Sequence, residues 1–216
     1  MNRFLTLLFF VVCLFSFCKN SNAQVYLAPK YSAPTGFLKE IVNTGFGIEL
    51  GASSKFYFGV RFRSIFNIEF MNNPNAKGIV TNYSNGNVNG LLSDTRGLKN
   101  YIYAGFGGGL DFAPVKFEKF NLYYGLDCLL GFNSSTTFNS RIYNDGSEDT
   151  FDDFFLSRNI GFRPRVGIEY PFKFGAFGVE FTRSFILGKD FNDAIEKPAK
   201  LVDFHGRYSL GIIYKF

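Results

Sequence analysis

The feature that most limits what this chain can become is an alternation of apolar and polar residues sustained well beyond the length of a soluble strand. Between residues 56 and 70, Phe56, Phe58, Val60, Phe62, Phe66, Ile68 and Phe70 fall on one parity, interrupted only by Ser64. Tyr57, Gly59, Arg61, Arg63, Ile65, Asn67 and Glu69 fall on the other. A period of two marks a strand with one apolar and one polar face. The same split recurs over 98–112, 120–134, 159–170, 44–53, 176–188 and 201–216, and weakly over 24–33. Eight strands are predicted, several of about 12–16 residues, where soluble strands have a mode of about five or six.

The polar parity decides which face is inside. Glu49, Arg61, Arg63, Asp111, Asp127, Arg163, Arg165, Glu169, Glu180, Asp203, Arg207 and Lys215 all lie on it, too many charges for the interior of a sandwich. The apolar parity must then face something oily, which lipid around a closed barrel provides. A soluble lipocalin-like barrel is the alternative fold, with the two faces exchanged. Composition agrees with an all-β chain: 30 Phe, 12 Tyr and 23 Gly in 216 residues, at the expense of the residues helices prefer. With 46% hydrophobic and 19% charged residues, a disordered scaffold is excluded.

The first 23 residues read as a cleaved secretory signal. Arg3 precedes an apolar run from Phe4 to Phe17, and Ser21-Asn22-Ala23 offers small residues for cleavage before Gln24. The run is short for a membrane span, and Phe17 before Cys18 departs from a lipid-attachment box. The domain expected to fold is 24–216, with Cys128 as its one cysteine, so neither a disulfide framework nor a cysteine-ligated metal follows. Its net charge is +3, the +5 of the whole chain less Arg3 and Lys19, which does not single out nucleic acid. Short connections near Ser54-Lys55, Ala113 to Lys119 and Pro171 to Gly175 alternate with longer ones over 34–43, 71–97, 135–156 and 188–200. Strict alternation puts both termini on the short-turn side, the arrangement of an outer-membrane barrel with periplasmic turns and surface loops.

At the C-terminus, Tyr208, Leu210, Ile212, Tyr214 and Phe216 alternate up to a terminal aromatic residue. Here the sequence resembles the small eight-stranded outer-membrane β-barrel proteins, the OmpA/OmpX-like architecture, whose last strand ends in an aromatic residue read by the barrel-assembly machinery. Porin-T-like barrels linked to secretion and small surface-adhesion barrels are the relatives this resemblance points to. It implies an outer-membrane location, surrounding lipid as a partner, and the assembly machinery as a partner during biogenesis.

An eight-stranded barrel is just wide enough for side chains to fill it, so the lumen charges are expected to pair into a plug. The expected network comprises Glu49, Arg61, Arg63, Asp111, Asp127, Arg163, Arg165, Glu169, Glu180, Asp203, His205 and Arg207, with Tyr57, Tyr101, Tyr103 and Tyr123 filling gaps. Interleaved glycines, among them Gly105, Gly109, Gly125 and Gly167, would make room for these large neighbours. No catalytic, cofactor or metal site is expected. His205 has Asp203, Arg207 and Ser209 on its own parity, but i, i+2 and i+4 positions on one strand are separated by about 6–7 Å per step, too far for a relay. Asp145, Glu148, Asp149, Asp152 and Asp153 lack the spacing of a calcium loop. Two residues break the pattern: Pro164, which has no N–H for a ladder, and Arg183, on the lipid-facing parity. They are expected nearly opposite each other, and mark a bulge that turns Arg183 inward, a snorkelling side chain, or a lateral seam. The function expected is non-enzymatic: a surface-interaction protein or envelope and secretion-complex component, contacting an envelope partner through 71–97 and 135–156. The alternatives are a narrow, porin-like channel and a lipid-modifying enzyme.

Overall fold

The computed structural model describes residues 23–36, 39, 42–71, 79–82, 91–114, 117, 119–187 and 205–216. Residues 1–22 of the expected 1–23 signal lie outside these residues, as does Asp203. Among the described residues nine strands form: β1 (Gln24–Thr35), β2 (Gly45–Ser53), β3 (Val60–Met71), β4 (Ile79–Asn82), β5 (Leu91–Phe112), β6 (Asn121–Tyr143), β7 (Glu148–Phe172), β8 (Gly175–Leu187) and β9 (His205–Lys215). Hydrogen bonding runs in the order β3-β2-β1-β9-β8-β7-β6-β5-β4, and β5 also pairs with β3, closing a ring of eight staves. Every pairing is antiparallel. The short β4 lies outside the ring, extending the sheet beyond the end of β3 along Ser93 to Arg96.

Closure needs stagger, and the register supplies it. Stepping across paired residues from Thr35 through Gly206, Phe185, Phe162, Cys128, Gly108, Ser64 and Ala52 returns to β1 at Val25. This offset of about ten residues goes with strands tilted roughly 35–45° to the barrel axis. The tilted staves present Phe46, Ile48 and Leu50 outward on β2, and Leu210, Ile212 and Tyr214 outward on β9. The residues between them point in, where Glu49 and Arg207 are fully enclosed. An apolar coat over an ionic interior inverts the soluble pattern and needs hydrocarbon around it.

The structure departs from the sequence expectation at both ends of the barrel. The alternation from Phe56 predicts unbroken strand, but β3 begins only at Val60. Before it, a reverse turn places Phe58 (φ 49°) and Gly59 (φ 78°) in the left-handed region, closed by paired Tyr57 and Val60 backbone bonds of 2.8 and 2.9 Å. The turn shifts the parity. Tyr57, expected in the lumen, is 74% exposed, while Phe56 lies 4.2 Å beneath the Arg61 guanidinium.

At the other end, 135–156 is not the loop that its polar composition predicts. It is a hairpin made by β6 and β7, which pair continuously from Asn121↔Glu169 to Ile142↔Glu148. Ser134 to Thr137 continue β6 because threonine suits an extended backbone. Beyond the apolar belt both faces meet polar surroundings, so nothing there enforces alternation. At the tip, Gly146 takes φ 82°, and Ser147 donates from its hydroxyl (2.6 Å) and its amide (2.9 Å) to Asp145 Oδ1. These bonds hold the Asp145 carboxyl below its usual range. A depressed carboxylate contributes fully above its unfolded pKa of about 3.9 and loses that contribution as pH falls through the lower folded value. Exchange protection of the Ser147 amide is therefore expected to be constant above about pH 4 and to fall in more acidic buffer; equal protection across that range would refute the turn's dependence on the carboxylate.

Candidate functional site

Among the described residues, the lumen within the belt holds seven buried cations, Lys30, Arg61, Arg63, Arg163, Arg165, Arg207 and Lys215. They face six buried anions, Glu49, Glu69, Asp111, Asp127, Glu169 and Glu180. These charges are arranged along the axis in three levels. Nearest the short turns, Arg61 donates from Nε to Asp111 (2.8 Å) and from Nη1 to Glu169 (2.8 Å), and Lys215 also pairs with Glu169. The rings of Phe56 and Tyr123 lie 4.2 and 4.8 Å from the Arg61 guanidinium carbon. Two of its hydrogens thus go to carboxylates while its face is covered by aromatic surface.

The middle level is the densest. Glu49 accepts from Lys30 (2.7 Å), Arg63 (2.5 Å), Arg163 (2.6 Å) and the Tyr26 hydroxyl (2.9 Å). Glu180 accepts from Arg63 (2.5 Å) and Tyr123 (3.1 Å). Arg163 reaches Asp127 at 2.9 Å through Nε, and Arg165 joins Asp127 to Asp111, donating to the latter at 2.7 Å. Each carboxylate here serves at least two cations, so the network is shared rather than a set of isolated pairs. Glycine makes the space: a Cβ on Gly125 would sit 2.9 Å from Arg165 Nε and 2.6 Å from the Leu110 carbonyl. One on Gly109 would lie 2.7 Å from the Leu126 carbonyl and 3.0 Å from Asp127 Cγ.

Toward the long connections the network thins. Arg207 Nη1 lies 3.3 Å from Glu69, with its guanidinium carbon 3.8 Å from the centre of the Tyr103 ring. Asn67 donates to Glu69 (2.7 Å), and Tyr101 to Asn133 (2.7 Å).

Of the residues expected in the network, Glu49, Arg61, Arg63, Asp111, Asp127, Arg163, Arg165, Glu169, Glu180 and Arg207 lie together in this lumen. His205 opens β9 opposite Ile186, and Asp203 is outside the described residues. Tyr26, Lys30 and Glu69 belong to the network without being among the residues the sequence singles out. Glu69 shares the parity of Arg61 and Arg63, a signal available in the sequence. Lys30 and Tyr26 share theirs with Ala28, Ser32 and Pro34, which blurs the alternation of β1. Among the described residues no group of His, Cys, Asp or Glu is placed to hold a metal ion. Cys128 is exposed on the outer face.

Tyr208, Leu210, Ile212, Tyr214 and Phe216 all point outward on or just after β9, and the Phe216 amide donates to the Val25 carbonyl at 3.0 Å. Pro164 and Arg183 occupy opposing positions on β7 and β8, where the ladder skips from Phe162↔Phe185 to Arg165↔Thr182. The register is the same on both sides of the gap, so no bulge turns Arg183 inward. Its side chain is exposed on the outer face, over Phe185 and Tyr208.

No protein-family model matches the chain, and no curated protein matches it. Among solved structures, Neisserial surface protein A is similar in fold, with a TM-score of 0.52 at 14% identity over 91% of this chain and 98% of that one. Ail, the attachment invasion locus protein of Yersinia pestis, aligns at a TM-score of 0.45 with 12% identity, covering 90% of this chain and 97% of its own. A major outer membrane protein from Thermus thermophilus aligns at 0.47 with 11% identity, covering 90% and 99%. Closed ring, apolar coat and ionic interior together make the chain an eight-stranded transmembrane β-barrel of the outer-membrane type.

Proposed function

We propose that this barrel is a non-enzymatic surface-interaction protein, anchored by its belt and making contact through the sheet that rises beyond it. The observation that carries this reading is the unequal length of the staves. Among the described residues, β5, β6 and β7 have 22, 23 and 25 residues, against 9 to 13 for the other five. A membrane crossing uses roughly 9–11 residues; the excess builds a stiff platform at the long-connection end, which in the proposed orientation faces outside the cell. On it Phe154 and Leu156 are 66% and 62% exposed. A cavity of about 430 Å³ lies between Lys99, Phe138, Asn139, Thr150, Phe151 and Asp152. Exposed apolar side chains outside the hydrocarbon have no lipid to cover them and favour a protein partner. The partner is an envelope or secretion-complex protein, and the ionic lumen serves as a rigid plug.

Photo-crosslinking in intact cells tests this. A photoreactive residue at Phe154 is expected to give a discrete protein adduct, while one at Leu126, in the lipid belt, is expected to give none. Absence of an adduct at Phe154, or the same adducts from both positions, would overturn the reading.

A further inference from the structure

We propose that the outer face around Arg183 is a binding site for the phosphate of a lipid headgroup. β8 presents Phe177, Val179 and Phe181 to the hydrocarbon, then Arg183, then Phe185. Arg183 is exposed, and among the described residues no carboxylate pairs with it. Its contacts are aromatic: the guanidinium carbon lies 4.7 Å from the Phe185 ring centre and 5.2 Å from that of Tyr208, its direct partner on β9. Phe181 stacks on Tyr208 at 5.7 Å, bracing the ring. Aromatic faces hold the planar guanidinium but leave its five donors unused, and those donors match phosphate oxygens in pairs.

Depth fits the same ligand. At ~3.3 Å per residue and a tilt of ~40°, Arg183 sits about 20 Å along the barrel axis from Gly175 at the short-turn end. The apolar band of such barrels is about 25 Å tall, so the α-carbon lies about 5 Å inside the far rim. An extended arginine covers that distance and delivers its charge to headgroup level. A fixed cation there, with no carboxylate paired to it among the described residues, is matched by an anionic headgroup of the adjacent leaflet.

Pro164 adds a second element at the same place. The two pairs missing from the β7–β8 ladder, Arg163↔Ser184 and Pro164↔Arg183, are those a Pro164 N–H would complete. The strand carrying Arg183 is therefore less tightly held at this point than elsewhere, and the backbone can adjust as a headgroup docks.

The experiment uses the refolded barrel released from vesicles of phosphatidylcholine containing a tenth part of phosphatidic acid, with retained lipids counted by native mass spectrometry. Wild type is expected to keep phosphatidic acid in preference to phosphatidylcholine, with the preference reduced about five- to tenfold in Arg183→Leu and largely kept in Arg183→Lys. Leucine suits the lipid-facing surface, so the variant folds. Equal retention by wild type and Arg183→Leu would overturn the site. Displacement of bound phosphatidic acid by millimolar inorganic phosphate would show a free-anion site and would overturn the lipid assignment.

Discussion

Replacing Glu49 by alanine is expected to be among the most damaging single changes this barrel can suffer, at about 3–5 kcal/mol of folding free energy. Glu49 is wholly enclosed and receives Lys30, Arg63, Arg163 and Tyr26 at 2.5 to 2.9 Å. After its removal Lys30 retains only a 3.5 Å approach to Glu180; Arg63 shares that same Glu180, and Arg163 falls back on Asp127. Three cations would then lean on two carboxylates in a space closed to solvent, and an unbalanced charge there costs far more than the net worth of the pair it lost. The control follows from that cause. Adding Lys30→Met to Glu49→Ala removes the excess cation, and the double variant is expected to recover at least half of the loss. Urea titration of the barrel in detergent, followed by heat-dependent gel mobility, measures all three proteins. A single variant within about 1 kcal/mol of wild type, or a double variant worse than the single, would show that charge balance is not what the lumen requires.

Much of this arrangement is legible before any coordinates, because period-two alternation assigns each residue to a face once the strand is recognised. Parity alone places Arg61, Arg163 and Glu180 inside. Partners on adjacent strands follow from register, as with Arg61↔Asp111 and Asp127↔Arg163. Partners across the barrel do not: Arg61 with Glu169 and Arg63 with Glu180 join strands that are not neighbours. Such contacts depend on the diameter and stagger of the closed ring, neither of which is written in any one strand. The Phe56–Gly59 turn is invisible for a related reason. Its apolar residues stay on the expected parity, and only the left-handed backbone at Phe58 and Gly59 moves Tyr57 out of the lumen and Phe56 toward Arg61. Where β6 and β7 leave the belt, both faces meet the same surroundings, so a hairpin carries no periodic signal and reads as a loop.

A plug held by shared ion pairs also predicts how to open it. Wild type is expected to show no single-channel conductance in planar bilayers, because the middle level alone places Arg63, Arg163, Arg165, Glu49, Glu180, Asp111 and Asp127 across a lumen only wide enough for side chains. Asp127→Ala combined with Arg163→Ala is the change expected to convert it into a pore. The two residues face each other across the β6–β7 ladder and bind at 2.9 Å, so removing both clears a path without changing net charge. Each survivor keeps a partner: Arg165 remains on Asp111, and Glu49 remains on Lys30 and Arg63. Removing both members of a buried pair avoids the penalty of leaving one behind, and the variant is therefore expected to fold, with discrete openings that the wild type lacks. Of the seven cations and six anions described in the lumen, six and five would remain, so the openings should favour anions. Conductance in wild type equal to that of the double variant would mean that these charges line a channel rather than fill one. A folded but silent double variant would place the constriction at another level, with Arg61 or Arg207 the next side chain to remove.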